Sequence, residues 1–311
     1  MMNLNTVFLR SRDFTHYSLS LTTGLINFAK DIKISHSIFA LPFAISVFFI
    51  TNVSFPTLQQ ATWLLICMIC ARSFAMGYNR LSDADIDSLN PRTNSRALPS
   101  GRITKEQSLF WIFFFAAAFI FAAFKLNPLA GYLSLPLLGI LGLYSKMKHL
   151  HWLTHIYLGA CLGLSPIAVV VAINGSFDFH AILLGCAILC WTAGFDILYS
   201  LQDQKFDQKM HLKSIPAYFG VQKSLIISRF LFALMVGLLL VIGLTAELGL
   251  PYFLGVLIIS TLLFYEHFLI RDSKEDALSN NIGTAFFNAN ASVSLIYAFF
   301  AALDALWVRF P

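Results

Sequence analysis

The stretch ATWLLICMICARSFAMGYNRLSDADID (residues 61–87) decides how the rest of the chain is read. From Ala61 to Tyr78 the only charge is Arg72, and the run approaches the roughly 20 apolar residues an α-helix needs to cross a bilayer. It then passes directly into Asn79-Arg-Leu-Ser-Asp83-Ala-Asp-Ile-Asp87. An apolar helix that ends in carboxylates marks a place where membrane meets water. Positions i, i+4 and i+8 advance only about 40° per step around a helix. Asn79, Asp83 and Asp87 are therefore expected on one face, with Asp85 pointing elsewhere into solvent. Pro91 disfavours helical backbone at Asn90, so the helix should stop there.

Working outward, the composition agrees. Of 311 residues, 58% are hydrophobic, 15% aromatic and 12% charged, with mean hydropathy +0.72. A soluble domain carries about 25% charged residues. The 31 phenylalanines suit lipid-facing and apolar-tail surfaces. The expected fold is an all-α integral membrane protein, a single bundle of nine transmembrane helices near 35–53, 59–79, 107–125, 128–145, 152–173, 179–201, 225–246, 251–270 and 285–308. The fourth is diluted by Gly131, Gly139 and Gly142. With these spans, all Lys and Arg except Arg72, Lys125 and Arg309 border one side. The positive-inside rule then places the N-terminus and the acidic motif on the cytoplasmic side. No soluble domain stands apart. Residues 1–27 are expected to form a cytoplasmic N-terminal segment, and 28–311 a single membrane domain. The first residues lack a continuous apolar core, so a cleaved signal peptide is not expected.

A second acidic cluster ends the sixth span: Asp203-Gln-Lys-Phe-Asp207, with Asp196 and Tyr199 seven and four residues upstream on roughly the same face but deeper. The span–acid–base order thus occurs twice, and paired features in two halves of a bundle often mark one shared site. Crowded carboxylates repel, and a divalent cation removes the conflict. Magnesium prefers carboxylate oxygen, water and phosphate ligands. Two facing clusters would hold Mg²⁺ with a diphosphate between them, while Arg92, Arg96, Lys148, Lys209 and Lys213 supply cations for phosphate oxygens or for anionic headgroups. Arg72 lies inside a span on the Asn79 face. Intramembrane charges are usually functional, so Arg72 is read either as a clamp on a substrate carboxylate or as a structural partner of Asp196.

Other polar residues say less. Cys67, Cys70, Cys161, Cys186 and Cys190 all fall within spans and read as packing residues without disulfides. His36 and His155 read as hydrogen-bonded interface residues. Asn288 and Asn290 could line the cavity or join helices, and Asp304 reads as solvated at the outer end.

At these residues the chain resembles the UbiA superfamily of intramembrane prenyltransferases. Asn79-x-x-x-Asp83-x-x-x-Asp87 and Asp203-x-x-x-Asp207 look like its two Asp-rich motifs, and Asn90 to Gly101 like its basic loop. Tyr144 and Lys148 match a shared tyrosine–lysine loop, and Arg72 stands seven before the motif asparagine. The stretches Lys33–Pro42 and Gly194–Tyr199 look like the 4-hydroxybenzoate polyprenyltransferase group, which includes futalosine-route relatives acting on a dihydroxynaphthoate. Arg80, Ala97, Ser145 and His211 depart from common residues of that group, and Arg80 leans toward the futalosine relatives.

The resemblance implies nine helices and Mg²⁺-dependent transfer of a polyprenyl group from polyprenyl diphosphate to an aromatic hydroxy acid, in ubiquinone or menaquinone biosynthesis. Asn79, Asp83, Asp87, Asp203 and Asp207 would be the metal ligands, and Arg92, Arg96, Lys148 and Lys213 would neutralise the diphosphate. Arg72 would bind the acceptor carboxylate. Tyr144 or Tyr199 would face the allylic cation, and Asp196 would accept the ring proton or orient the acceptor. The expected setting is the bacterial cytoplasmic membrane, with lipids and the two substrates as partners and no nucleic acid. A cation-coupled secondary transporter is the rival class. It calls for acids near the bilayer midplane and broken helices there.

Overall fold

The structure is a computed structural model and describes residues 23–32, 41–51, 53–271 and 292–307. Among the described residues there are only helices and connections. They are α1 (23–31), α2 (Leu41–Ile50), α3 (Leu58–Leu89), α4 (Lys105–Leu126), α5 (Pro128–Leu150), α6 (Thr154–Asn174), α7 (Phe179–Ser200), a 3₁₀ turn (Leu201–Asp203), α8 (Gln204–Lys209), α9 (Ile215–Thr245), α10 (Leu250–Arg271) and α11 (Ser292–Trp307).

Seven helical stretches are long and apolar enough to cross a membrane: α3, α4, α5, α6, α7 continued through α8, α9, and α10 as far as Phe268. They correspond to seven of the nine expected spans. The shorter apolar helices α2 and α11 lie within the first and ninth. Most of the remainder of those two spans falls outside the described residues, as do His36, Asn288 and Asn290. The glycine-diluted fourth span forms a full helix, α5. Its Gly131 is required by packing, since a Cβ there would lie 2.2 Å from the Phe124 ring.

Local chemistry sets the helix ends. Thr57 with Gln60, and Thr104 with Gln107, form capping boxes at α3 and α4. Asn127 accepts from the Ala130 N–H at 2.9 Å, and its amide donates to the carbonyls of Val171 and Ala172 at 2.8 and 2.9 Å. One side chain thus starts α5 and finishes α6. Gly220, at φ 78°, breaks the first turn of α9 from the rest.

Asp304 corrects an expectation. It is 1% exposed rather than solvated, and accepts from the Gly249 and Tyr252 N–H groups at 3.0 and 3.3 Å. The first N–H groups of a helix have no partner within it, and a carboxylate from α11 caps α10 across the fold.

The core centres on α7, most of which is buried. It meets α6 at very short range: a Cβ on Gly163 would lie 2.4 Å from the Gly185 carbonyl oxygen, and one on Gly159 equally near that of Leu189. On its other side, Gly194 receives the Phe232 ring of α9. By contrast α3, α4 and α5 bury little. Phe110, Phe113, Phe114 and Phe121 of α4 face outward, Phe113 being 70% exposed. An apolar surface of that extent belongs against lipid. The five cysteines are free thiols, and Cys67 and Cys70 pack near Phe119 and Leu138.

Candidate functional site

Helix α3 has 32 residues, so it is about 48 Å long at 1.5 Å per residue. The hydrocarbon core is only about 30 Å thick. The helix therefore carries its last turns, with the acids, past the apolar slab. It stops at Asn90, whose extended backbone (φ −95°, ψ 119°) is what the following proline demands. Asn79, Asp83 and Asp87 share one face and line one cavity. Asp85 is off it, its side chain 91% exposed beside Lys105 at 3.4 Å.

The two acidic clusters converge on that cavity. Arg92, in the loop after α3, grips Asp203 of the second cluster with Nε at 3.0 Å and Nη2 at 2.5 Å. Burial, the largest single influence, acts to lower the Arg92 guanidinium, but the hydrogen bonds and charge of Asp203, with Tyr199 and Asp87 nearby, together hold it above its ordinary value. Lys148, at the end of α5, lies 2.7 Å from Asp83 Oδ2 and within electrostatic reach of Asp207. Arg96 Nη1 reaches Asp87 Oδ2 at 2.5 Å. Asn79 donates its amide to Asp83 Oδ2 at 3.1 Å. The second oxygen, Asp83 Oδ1, is buried without a partner among the described residues. Acids and bases thus interlock: three carboxylates of the two motifs each hold a cation from another element.

Deeper in the cavity Arg72 stands apart from these pairs, its Nε buried and without a partner among the described residues. The alternative pairing with Asp196 is not what the structure shows. Asp196 Oδ2 lies 2.7 Å from His155 Nδ1, and Ser200 Oγ lies 3.5 Å from His155 Nε2. This fits the reading of His155 as a hydrogen-bonded residue. Tyr144, Tyr199 and Asp196 line the same cavity, and Arg92 sits 5.9 Å from the Tyr199 ring centre. Lys213 differs from the other candidates. Its ammonium donates to the Leu150 carbonyl at 3.1 Å, and it does not line the cavity.

The cavity holds about 2000 Å³. From the acids it continues past Arg72 along an apolar wall, and it reaches Phe55, Leu126 and Phe177 at the opposite end of the bundle. It offers a charged mouth and a long greasy interior in one space. The ligand atoms at the mouth are all oxygens, as a hard cation requires, and the orphaned Asp83 Oδ1 is a ready donor. Among the described residues no three acidic or thiol or imidazole side chains close on a single point. The donors are drawn instead toward their bases.

Some lining residues were not marked as site residues by the sequence. Asp31 and Lys30 come from the N-terminal helix, and Arg80 and Thr192 from α3 and α7. Arg80 was legible in principle, because it lies seven residues before Asp87 and so on nearly the same face. Asp31 was not, since no local pattern ties it to a loop 66 residues away.

The model of the UbiA prenyltransferase family matches residues 40–291. The 4-hydroxybenzoate octaprenyltransferase of Pectobacterium carotovorum subsp. carotovorum (strain PC1) is 31% identical over 222 residues, 70% of this chain and 77% of that protein. The protein of the same name from Xanthomonas campestris pv. campestris is 32% identical over 223 residues, 70% and 73% of the two chains. The apo structure of a UbiA homolog from Aeropyrum pernix K1 superposes with a TM-score of 0.77 at 29% identity, covering 87% of this chain and 98% of that one. A homolog from Archaeoglobus fulgidus, solved bound to GPP and Mg²⁺, shares the fold at TM-score 0.72 and 22% identity, over 90% and 99% of the two chains.

Proposed function

The chain belongs to the UbiA prenyltransferase family, and from that premise we propose that it transfers a polyprenyl group from polyprenyl diphosphate to an aromatic hydroxy acid of the 4-hydroxybenzoate type, for quinone biosynthesis. The observation that carries this reading is the Arg92–Asp203 grip beside Lys148–Asp83. It brings both acidic clusters and their cations to one mouth of a deep apolar cavity. A cation-coupled transporter would carry its acids at mid-depth. Here they sit at one end of α3 and α7, which favours the enzyme.

Asn79, Asp83, Asp87, Asp203 and Asp207 would hold Mg²⁺, which when bound supplies positive charge to the diphosphate oxygens. Arg92, Arg96 and Lys148 would exchange their carboxylates for those oxygens and stabilise the charge that grows as the allylic C–O bond breaks. The electron pair of that bond leaves with the diphosphate. A ring carbon ortho to the acceptor phenol attacks the freed allylic carbon. Arg72 would hold the acceptor carboxylate, and the rings of Tyr144 and Tyr199 would face the developing cation. Asp196, already bonded to His155, would take the displaced ring proton or orient the acceptor. Lys213 would have to leave the Leu150 carbonyl to reach the diphosphate.

The prenyl tail would occupy the apolar length of the cavity, at about 0.8 kcal/mol for each CH₂ removed from water. Charge asymmetry supports a site on the cytoplasmic face of the membrane, which would be a bacterial inner membrane, within a domain that would run from Phe28 onward. Two lines of support come from relatives: two carry the 4-hydroxybenzoate octaprenyltransferase name, and a protein of the same fold holds GPP and Mg²⁺.

A second reading takes a dihydroxynaphthoate as acceptor, because Arg80 leans toward the futalosine-route relatives. The test is pyrophosphate release from polyprenyl diphosphate, with and without Mg²⁺, offering each acceptor in parallel. The reading expects Mg²⁺-dependent release with 4-hydroxybenzoate as the better substrate. Release with neither acceptor would overturn it, and preference for the naphthoate would move the enzyme to the second route.

A further inference from the structure

The N-terminal helix is built into the site. α1 seats Phe28 against Gly77, where a Cβ would lie 2.5 Å from the Phe28 ring, and stacks the same ring on Phe115 at 5.8 Å. Ile32 is buried in the same cluster. The polar side of the segment is bonded to the loop after α3. Asn27 donates to the Arg102 carbonyl at 2.9 Å, and Asp31 Oδ1 accepts from the Ala97 N–H at 2.8 Å.

One side chain joins this helix to the first acidic motif. Arg80 donates through Nε to the Asp31 carbonyl at 3.3 Å and through Nη1 to Asn79 Oδ1 at 3.4 Å. Asn79 then donates to Asp83 Oδ2. The connection reads α1, Arg80, Asn79, Asp83, from the N-terminal segment to a carboxylate with one oxygen unpartnered among the described residues. Charges on several elements face Arg80: Asp31, Asp83 and Asp87 attract it, while Arg72 and Arg96 oppose it. A guanidinium presents donors in a fixed planar fork. Bonded at both Nε and Nη1, it sets the angle between the α1 backbone and the Asn79 amide, which a flexible lysine could not.

We propose that Arg80 is a positioning residue that couples docking of the N-terminal helix to the orientation of Asn79, and through it to the affinity for the metal–diphosphate complex. This rests on the metal–diphosphate reading above. It gives α1 a part in substrate binding and makes Arg80 more than one further cation at the mouth.

The test uses the full chain in nanodiscs with two readouts. One is binding of inorganic pyrophosphate in the presence of MgCl₂. The other is amide hydrogen exchange over residues 23–31. Arg80→Gln removes the link, and Phe28→Ala loosens α1 at a point outside the charged mouth. Each should weaken magnesium–pyrophosphate binding roughly tenfold, the scale of one lost charged hydrogen bond, and speed exchange in α1. The double variant should bind no more weakly than the poorer single, because both break the same connection. Arg80→Lys keeps the charge and should remain as weak as Arg80→Gln. KM for the prenyl donor should rise while KM for the acceptor stays put.

Unchanged exchange in Arg80→Gln, full rescue by lysine, or losses multiplying to roughly a hundredfold in the double variant would each reduce Arg80 to a simple charge and overturn the coupling. Failure of the parent protein to bind magnesium–pyrophosphate at all would remove the metal–diphosphate reading and the binding half of this proposal. The exchange arm would still decide whether Arg80 tethers α1.

Discussion

Arg92 and Asp203 are 111 residues apart in the chain, yet they form a two-pronged ion pair across the mouth of the cavity. The pair fixes the two acidic motifs, one in the last turns of α3 and one after α7, on the same wall. It also fills a carboxylate that the proposed reaction needs for a metal. Lys148 with Asp83 and Arg96 with Asp87 repeat the pattern.

Binding of metal and diphosphate should therefore be mutually dependent. Each needs the other, since the metal must displace cations from the carboxylates and those cations need phosphate oxygens to receive them. Titration calorimetry should show Mg²⁺ binding at least about tenfold tighter with pyrophosphate present, a coupling of roughly 1.4 kcal/mol. Equal affinities would argue against the exchange.

Lys148→Gln isolates one step of it. Asp83 would lose its cation, so Mg²⁺ alone should bind more tightly than in the parent. Pyrophosphate with Mg²⁺ should bind more weakly, because an ammonium is missing from the phosphate. Movement of both affinities in the same direction would contradict this account of Lys148.

Arg72 lies inside the cavity with its Nε unpartnered among the described residues. Arg72→Ala should raise KM for the aromatic acid by about one to two orders of magnitude, the loss expected for one charged hydrogen-bond pair. Binding of the prenyl diphosphate should hardly change. The opposite split would move Arg72 to the donor side.

The α6–α7 contact predicts a stability effect remote from chemistry. Gly163→Ala would place a methyl 2.4 Å from the Gly185 carbonyl oxygen, which is backbone and cannot turn aside. Overpacking of this kind costs about 1–3 kcal/mol, read as an earlier thermal unfolding transition in detergent. Gly139→Ala on α5 meets nothing within 4 Å among the described residues and serves as the control without overpacking.

Much of this architecture was legible because it is periodic. The faces of Asn79, Asp83 and Asp87 follow from a 3.6-residue turn, and the end of α3 follows from Pro91. Apolar length marked seven of the expected spans, including the glycine-diluted α5. Contacts between distant segments were not legible. Asp304 looked solvated because nothing local reveals that it caps a helix beginning more than 50 residues earlier. Lys213 carries the right charge near the right motif, but it turns to the Leu150 carbonyl. The Asp196–His155 pair and the Asp31–Ala97 bond likewise depend on how helices meet. Charge and spacing marked candidates for the mouth of the cavity, while tertiary packing determined which of them face it.

One measurement bears most directly on a single site shared by both motifs: the stoichiometry and affinity of pyrophosphate binding in excess Mg²⁺ for the parent, Asp83→Ala and Asp203→Ala. The account predicts one pyrophosphate per chain in the parent and loss of at least about a hundredfold in affinity in either variant, more than the 10–100-fold typical of a residue that only supports a ligand. If either variant kept the parent affinity, or if each lost only its own half of two independent binding events, the two motifs would not be gripping one diphosphate.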